Sequence, residues 1–425
     1  MSNIKNLLEI STRHLARGIL RKSELVVDRA RGVWIWTVDG KKYLDFTTGI
    51  GVTSTGHNHP KVVKAVQDQV ANLIHGQVNI VLHKPMLDLI TRLIPMMPSR
   101  ELDSFFFANS GAEAVENSIK LARAATKKQN IIVFQGSFHG RTIGTLALTN
   151  SNTIYKAGYG SSMPGVHVAP YPYCIQCPAH QASPKTYNTT NCCSYPITQL
   201  QLLLKQQTAP QDTAAVLIEP ILGEGGYVAP PANFLGEVRK ICTENNILLI
   251  ADEVQSGFGR TGKMFAVEHY NVVPDIMVMA KGIASGFPLS AIAARKELTD
   301  TQAPGSMGGT YVGNPVACAA ASATLDVIKE EQLFENSTKI SVDIRGLGLM
   351  IGIEFQNAPP GFAAAITKEA LEEHNLILLT AGISEILRLI PPLNVTKEEV
   401  EDGMQRFNKT VKSVVEKWRS EGKLQ

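Results

Sequence analysis

Short apolar runs alternate along most of the chain with stretches whose apolar residues recur every three or four positions. The second pattern is typical of helices with one buried face, as in His59–Ile74 and Ala112–Ala125. Strands that alternate with helices indicate a mostly parallel sheet covered by helices, so the sequence predicts an α/β fold. The predicted strands are Asp103–Ala108, Ile131–Gln135, Val166–Ala169, Ala214–Glu219, Ile247–Asp252, Asp275–Ala280 and Ser290–Ala294.

The pattern changes near Pro315, which predicts a domain boundary. The elements expected beyond it are an Ala-rich helix Val316–Glu330, a strand Gly348–Phe355, a helix Ala363–His374 and a last strand near Ile386–Leu389. We expect a large domain over residues 55–315. A smaller α+β domain is expected from two segments, residues 1–54 and 316–425.

Composition and charge narrow the function classes. The chain has 425 residues, is 44% hydrophobic and carries a formal charge of +3, which gives no reason to expect nucleic acid or a membrane as a partner. No apolar run approaches the roughly 20 residues that cross a bilayer. The N-terminal segment lacks a secretory h-region, and Glu9 and Glu24 favour a structural helix over a mitochondrial presequence. A cytoplasmic location is therefore expected, with a mitochondrial one as the alternative.

Four cysteines lie in the polar, Pro-rich stretch Tyr171–Thr198: Cys174, Cys177, Cys192 and Cys193. The spacing of the first pair suits a zinc site, but the second pair is adjacent rather than spaced. We expect a loop of reduced thiols and no metal, with zinc as the alternative.

Three segments place reactive groups at predicted strand ends. The turn Asn109-Ser-Gly-Ala112 joins a strand to a helix, whose first N–H groups can bind a phosphate. Asp252 ends an apolar strand, where a buried carboxylate needs a cationic ligand atom. Lys281 follows another apolar strand, where desolvation favours a Schiff-base amine. Each alone is also explained by a tight connection, a capped loop or a surface lysine. Together they are what pyridoxal-5′-phosphate (PLP) requires.

Seven motifs carry a resemblance to a known family over nearly the whole chain. They are Asp45-Phe-Thr-Thr-Gly-Ile50 through Gly56-His-Asn-His-Pro60, Asn109-Ser-Gly-Ala-Glu-Ala114, Phe138-His-Gly-Arg141, Glu219-Pro-Ile-Leu-Gly-Glu224, Asp252-Glu-Val-Gln-Ser-Gly-Phe-Gly-Arg-Thr-Gly262, Lys281-Gly and Gly308-Gly-Thr310 through Pro315. The chain resembles the class III (subgroup II) PLP-dependent aminotransferases. The resemblance implies fold type I, the aspartate-aminotransferase fold, with a seven-stranded sheet.

The resemblance also implies roles for individual residues. Lys281 is the implied Schiff base and proton shuttle, and Asp252 the partner of the ring nitrogen. Thr310 is implied to reach the phosphate of the neighbouring subunit, which predicts a homodimer with shared active sites. The residues implied to bind the cofactor are Ser110, Gly111, Ala112, Phe138, His139, Asp252, Val254, Gln255, Lys281 and Thr310.

The resemblance implies that four further residues bind the substrate. Arginines like Arg141 and Arg388 hold substrate carboxylates in the family, and Glu224 resembles the gate that neutralises Arg388 for donors with one carboxylate. Ile50 stands where the ornithine branch usually has tyrosine. The resemblance is closest to the 4-aminobutyrate branch, with 2-oxoglutarate as the acceptor in a ping-pong mechanism. The acetylornithine and ornithine branches remain alternatives. Since the phosphate turn has no cysteine, no iron–sulfur cluster is expected.

One departure from the family lies between Glu335 and Val342, where relatives usually have about two dozen more residues, roughly six helical turns if all helical. A missing helix would expose apolar surface and weaken the packing near Arg388, so an inactive PLP-binding protein is one alternative. A racemase or epimerase of the same fold is another. A nicotinamide dehydrogenase is disfavoured, because no G-x-G-x-x-G follows a strand.

Overall fold

The computed structural model describes residues 4–160, 162–178, 193–339, 346–356 and 358–424. The strands are β1 Val27–Arg31, β2 Trp34–Thr37, β3 Lys42–Asp45, β4 Ser104–Ala108, β5 Asn130–Phe134, β6 Val166–Ala169, β7 Thr213–Ile218, β8 Leu248–Asp252, β9 Ile276–Met279, β10 Ser290–Ala294, β11 Gly346–Leu347, β12 Met350–Glu354, β13 Leu376–Ile377, β14 Leu379–Ala381 and β15 Ile386–Leu389.

The α-helices of the same residues vary from one turn to almost seven. They are α1 Ile4–His14, α2 Pro60–Asn72, α3 Lys84–Leu93, α4 Gly111–Thr126, α5 Ile143–Leu148, α6 Tyr195–Gln206, α7 Phe234–Glu244, α8 Lys296–Thr299, α9 Pro315–Glu330, α10 Leu333–Lys339, α11 Phe362–His374 and α12 Lys397–Ser420. Short 3₁₀ turns occur at Ile94–Met96, Thr153–Tyr155, Cys174–Gln176, Ala266–Tyr270 and Lys281–Ile283.

The central sheet has seven strands in the order β4-β10-β9-β8-β7-β5-β6. Strand β10 is antiparallel to both of its neighbours, and the other adjacent strands pair in parallel. The predicted α/β fold with a mostly parallel sheet is therefore confirmed. All seven strands predicted for it form, with ends that differ by at most one residue.

The strands of this sheet are buried on both faces. In β5, Ile131 and Val133 pack into one hydrophobic cluster, whereas Ile132 and Phe134 pack into another. The alternation follows from the two-residue period of a strand, and β7, β8 and β9 share it. Helix α4 covers the first face through residues such as Val115. A sheet covered on both faces leaves its strand ends free for chemistry.

Two four-stranded sheets flank the central one, in the orders β1-β2-β3-β13 and β11-β12-β15-β14. Strand β13, from the C-terminal part of the chain, pairs in parallel with β3 from the N-terminal part. This pairing supports the small domain of two segments that we propose, while its boundaries at residues 54/55 and 315/316 stay a prediction.

Helix α9 packs against α2 and α3. The short connection after Glu335 falls largely on residues 340–345, which lie outside the described part of the chain. None of the helices that the structure describes is long and apolar enough to cross a membrane.

Candidate active site

The main cavity opens at the carboxyl ends of the parallel strands, where open α/β sheets place their ligands. Its volume is about 580 Å³, within the range of small-molecule sites. Among the residues predicted for the site, Thr310 alone does not line this cavity. The predicted residues that do line it are Ile50, Ser110, Gly111, Ala112, Phe138, His139, Arg141, Glu224, Asp252, Val254, Gln255, Lys281 and Arg388.

The turn after β4 presents a free helix N-terminus to the cavity. The Ser110 hydroxyl accepts a bond from the Glu113 N–H, and the Glu113 carboxylate accepts one from the Ser110 N–H (2.8 Å). This capping box leaves the Gly111 and Ala112 N–H groups without an acceptor in the described residues. A Cβ on Gly111 would approach Val254 Cγ1 to 3.1 Å, so glycine permits this close packing. The arrangement fits a phosphate.

Asp252 is held from both sides at the end of β8. Its Oδ2 accepts a bond from His139 Nδ1 (2.7 Å), and its Oδ1 accepts one from the Val254 N–H (3.0 Å). Asp252 is 4% exposed, and the His139 ring is fully buried. The direct partner of His139 is therefore this carboxylate. The two bonds fix the orientation of Asp252 toward the cavity.

Lys281 follows β9 and has a positive φ of 46°. Burial and nearby Arg388 lower the pKa of Lys281 to about 8, although Asp252, Glu219 and Glu224 act in the opposite direction. A lysine with a pKa near the working pH is an unprotonated nucleophile in a large fraction of molecules.

This pKa predicts how the cofactor-free protein captures PLP. The neutral amine reacts, so the capture rate should rise with pH up to about 8 and then level off. An ordinary lysine would show a rise that continues to a pH above 10. Stopped-flow absorbance from pH 6 to 10 measures the rate, with the Lys281→Ala variant as the blank. A rate that still climbs beyond pH 9.5 contradicts the lowered pKa.

Glu219 is a further cavity residue to which the sequence analysis gave no role. Its carboxylate accepts bonds from the Phe138 and Gly223 N–H groups, both at 2.8 Å. Burial, with Asp252 adding to the effect and His139 opposing it, raises the pKa of Glu219 to about 7. Glu219 could have been predicted as a site residue from the sequence, since it follows an apolar strand just as Lys281 does.

The hydrogen bonds and burial of these residues fit PLP. The free N–H groups of Gly111 and Ala112 suit the phosphate, and Asp252 suits a protonated ring nitrogen. The buried Gln255 Oε1 has no hydrogen-bond partner in the described part of the chain, so no protein contact of this oxygen competes with a ligand for the amide. Phe138 and Val254 both line the cavity and offer apolar surfaces for a ring.

A second group of charges lies in the same cavity. Arg388 donates from Nη1 to Glu224 Oε2 at 2.6 Å, and its side chain is only 5% exposed. Arg141 is exposed instead, and its Cζ lies 4.4 Å from the centre of the Tyr155 ring. Burial disfavours the charged guanidinium, yet Tyr227 and Glu224 outweigh this effect and raise the pKa of Arg388. The cavity therefore holds one neutralised arginine and one accessible arginine.

Ile50 lies in a left-handed turn at the cavity wall. Thr48, Gly49, Ile50 and Gly51 all have positive φ, with 67° at Ile50. Such a φ is strained for a β-branched side chain, and strain of this kind concentrates at functional sites. Ile50 is 43% exposed, which leaves its side chain available to a ligand.

The predictions for Thr310 and for the cysteines concern residues outside this cavity. Thr310 is exposed and apart from the cavity of its own chain, so its role toward a partner subunit stays a prediction. Cys177 Sγ and Cys193 Sγ lie 3.6 Å apart as free thiols, and Cys192 falls outside the described residues. Within the described ranges, no group of three or more potential ligands could hold a metal ion.

Of the two adjacent carboxylates at the end of β8, Asp252 and Glu253, only Asp252 lines the cavity. The fully buried Glu253 accepts bonds from the Val267 N–H (2.8 Å) and the Ser256 hydroxyl (2.5 Å). Burial raises the pKa of Glu253 to about 7. Glu253 therefore stabilises the following loop.

Comparisons with known proteins show the family of the chain. The family profile described as aminotransferase class-III matches residues 19–411. The chain is 38% identical to the 4-aminobutyrate aminotransferase of Escherichia coli (strain K12), over 95% of this chain and 97% of that protein. It is also 38% identical to the acetylornithine aminotransferase of Streptococcus mutans serotype c, over 90% of this chain and 95% of that one.

Solved structures show the same likeness. A PLP-bound amine transaminase from an uncultivated Pseudomonas species matches with a TM-score of 0.83 and 29% identity, over 92% of this chain and 95% of that one. The expected fold type I, cofactor and enzyme class are thereby confirmed. The chain belongs to the class-III aminotransferases and is a PLP-dependent enzyme.

Proposed function

We propose that this enzyme transfers the amino group of an ω-amino acid, with 4-aminobutyrate as the favoured donor, to 2-oxoglutarate. The observation that carries the proposal is the Glu224–Arg388 ion pair beside the exposed Arg141 in one cavity. A donor with one carboxylate needs only Arg141, because Glu224 neutralises the buried Arg388. A dicarboxylate such as 2-oxoglutarate can use both arginines once Glu224 turns away. One cavity thus suits two substrates of different charge.

The cofactor would be held by the residues that fit it. Gly111 and Ala112 would donate to the phosphate, Phe138 and Val254 would enclose the ring, and Gln255 would turn its amide toward the phenolic oxygen. PLP, when bound, supplies an electron-accepting ring that stabilises negative charge at the substrate carbon.

Two side chains manage the protons of the reaction. Asp252, oriented by His139, would keep a proton on the ring nitrogen, since a buried carboxylate favours a cation beside it. Lys281 Nζ, as a neutral amine, takes the proton from the carbon that bears the transferred amino group. The ammonium group that forms on Lys281 can later give that proton back. Phe138 and Tyr155 line the cavity and add aromatic surface to its wall.

We also propose a homodimer in which Thr310 binds the phosphate held by the other subunit. The exposure of Thr310, away from the cavity of its own chain, supports this arrangement. Analytical ultracentrifugation checks it, because a monomer with full turnover contradicts it.

A donor panel tests the proposed function. Purified holoenzyme receives 4-aminobutyrate, ornithine or N-acetylornithine, each with 2-oxoglutarate, and glutamate formation is measured. We expect the highest kcat/KM for 4-aminobutyrate. Replacing Arg141 with alanine should lower that value about 10- to 100-fold, the effect of losing a charge-assisted carboxylate contact. The Arg419→Ala variant serves as the matched control, since Arg419 is exposed at the end of α12.

Three outcomes count against the proposal in different ways. Activity with N-acetylornithine and none with 4-aminobutyrate shows that the donor is wrong. Conversion of a single amino-acid enantiomer to its mirror image without any 2-oxo acid indicates a racemase. Glutamate formation from none of the donors contradicts transfer to 2-oxoglutarate.

A further inference from the structure

Tyr155 lies between the two groups of charges in the main cavity. It ends the 3₁₀ turn Thr153–Tyr155, which the Asn152 side chain caps by accepting from the Ile154 N–H (3.0 Å). The side chain is half-buried and lines the cavity. Its position is therefore set by local backbone structure as well as by its contacts.

The Tyr155 side chain contacts three other side chains of the cavity. The Tyr155 hydroxyl donates to Glu224 Oε1 (3.1 Å), and the Arg141 guanidinium lies over the Tyr155 ring. The ring also meets Phe138 edge to face, with 5.3 Å between the ring centres and 77° between their planes. Tyr155 thus connects the accessible arginine, the gate carboxylate and a wall of the expected cofactor site.

The two oxygens of Glu224 have different partners. Oε2 binds Arg388, whereas Oε1 binds Tyr155. Glu224 can therefore leave Arg388 without losing Tyr155. The bond to Tyr155 is observed while Glu224 is paired with Arg388. If it persists when Glu224 leaves Arg388, it is worth more there, because a partly buried carboxylate that has lost its arginine depends on it, and it then favours the open position of the gate. Burial and nearby Glu224 raise the pKa of Tyr155, although Arg141 and Arg388 act against this, so the hydroxyl stays a donor at neutral pH.

The ring has a separate effect on Arg141. A guanidinium stacked on an aromatic face is attracted to it and loses conformational freedom before any ligand arrives. Arg141 is exposed, so this contact limits the positions that its side chain can take.

We infer that Tyr155 is a positioning residue that couples the two carboxylate sites: its ring holds Arg141 for every substrate, and its hydroxyl holds Glu224 when a dicarboxylate takes Arg388. The inference rests on the proposed function, because it assumes that Arg141 and Arg388 both bind carboxylates. Tyr155 then has two roles, one for its ring and one for its hydroxyl. Phenylalanine keeps the aromatic ring but lacks the hydroxyl, whereas leucine lacks both.

Binding of unreactive acids to the holoenzyme tests the inference without turnover. Glutarate carries two carboxylates and butyrate carries one, and calorimetry gives both Kd values. The Tyr155→Phe variant should bind glutarate about tenfold more weakly, as expected for losing a hydrogen bond to a charged group, while its Kd for butyrate changes less than about twofold. Tyr155→Leu should weaken both acids, since the support of Arg141 is lost too. Tyr159→Phe, an exposed tyrosine in the same loop, should change neither.

The outcomes distinguish a failure of this inference from a failure of the proposed function. If the unchanged enzyme prefers glutarate but Tyr155→Phe keeps that preference in full, the coupling role is refuted and the proposed function stands. Tighter glutarate binding by Tyr155→Phe also refutes it, because the hydroxyl would then favour the closed gate. If the unchanged enzyme binds both acids equally, the use of two arginines fails, and the inference fails with it.

Discussion

Replacing Lys281 with alanine should lower turnover by about 10⁴-fold, the upper end of what a positioned proton-transfer group contributes. The variant loses both the covalent attachment of PLP and the neutral amine that moves the substrate proton. No other lysine lines the main cavity, among the residues that the structure describes. Steady-state kinetics and the absorbance of the bound cofactor measure the two losses separately.

The control for this variant is Lys296→Ala. Lys296 is exposed and pairs with Asp300 within one turn, so its replacement should leave turnover within about twofold. A small primary amine added to the Lys281→Ala variant should restore part of the activity, because it supplies the missing base in solution. A Lys281→Ala variant that keeps more than about a hundredth of the activity contradicts the assigned role.

Replacing Asp252 with asparagine should lower kcat by about 10³-fold and weaken PLP binding. Asparagine keeps the size of the side chain but carries no negative charge, so the ring nitrogen loses its proton at neutral pH. The ring then accepts electrons less well, which slows removal of the substrate proton. Kinetics of the amine half-reaction with a deuterated donor measure this directly, because proton removal becomes more rate-limiting and the isotope effect increases.

The Asp252 variant also has a matched control. Asp300 is exposed and pairs only with Lys296 among the described residues, so Asp300→Asn should behave like the unchanged enzyme. Circular dichroism must show that Asp252→Asn is folded, since the His139 ring would lose its charged partner. A folded Asp252→Asn enzyme with normal kcat would show that the carboxylate does not act on the ring nitrogen.

Three parts of the active site could be predicted from strand ends alone, namely the turn after β4, Asp252 and Lys281. The other site residues were predicted from the resemblance to the family. Asp252 ends the run Leu248–Asp252, and Lys281 follows shortly after the run Ile276–Met279. Both runs are continuously apolar before the charged residue, which indicates strands that are buried on both faces. Parallel strands bring their carboxyl ends to one edge, so a strand pattern alone places these groups together. The central sheet was predictable for the same reason.

Other features had no signal of this kind. Strands β11 and β13 have two residues each, which is too short for any periodicity to appear. Tyr155 lies in a polar loop, and only the three-dimensional structure brings it to Glu224. The bond between His139 and Asp252 joins residues 113 positions apart, which no local pattern can indicate. Motif likeness named the residues, but their contacts come from the fold.

The covalent bond between PLP and Lys281 is the most direct test of the whole account. Holoenzyme is reduced with borohydride, digested, and its peptides are sequenced by mass spectrometry. We predict a pyridoxyl group on the peptide that contains Lys281 and on no other lysine. An unmodified Lys281 peptide from fully loaded, reduced enzyme would contradict the account.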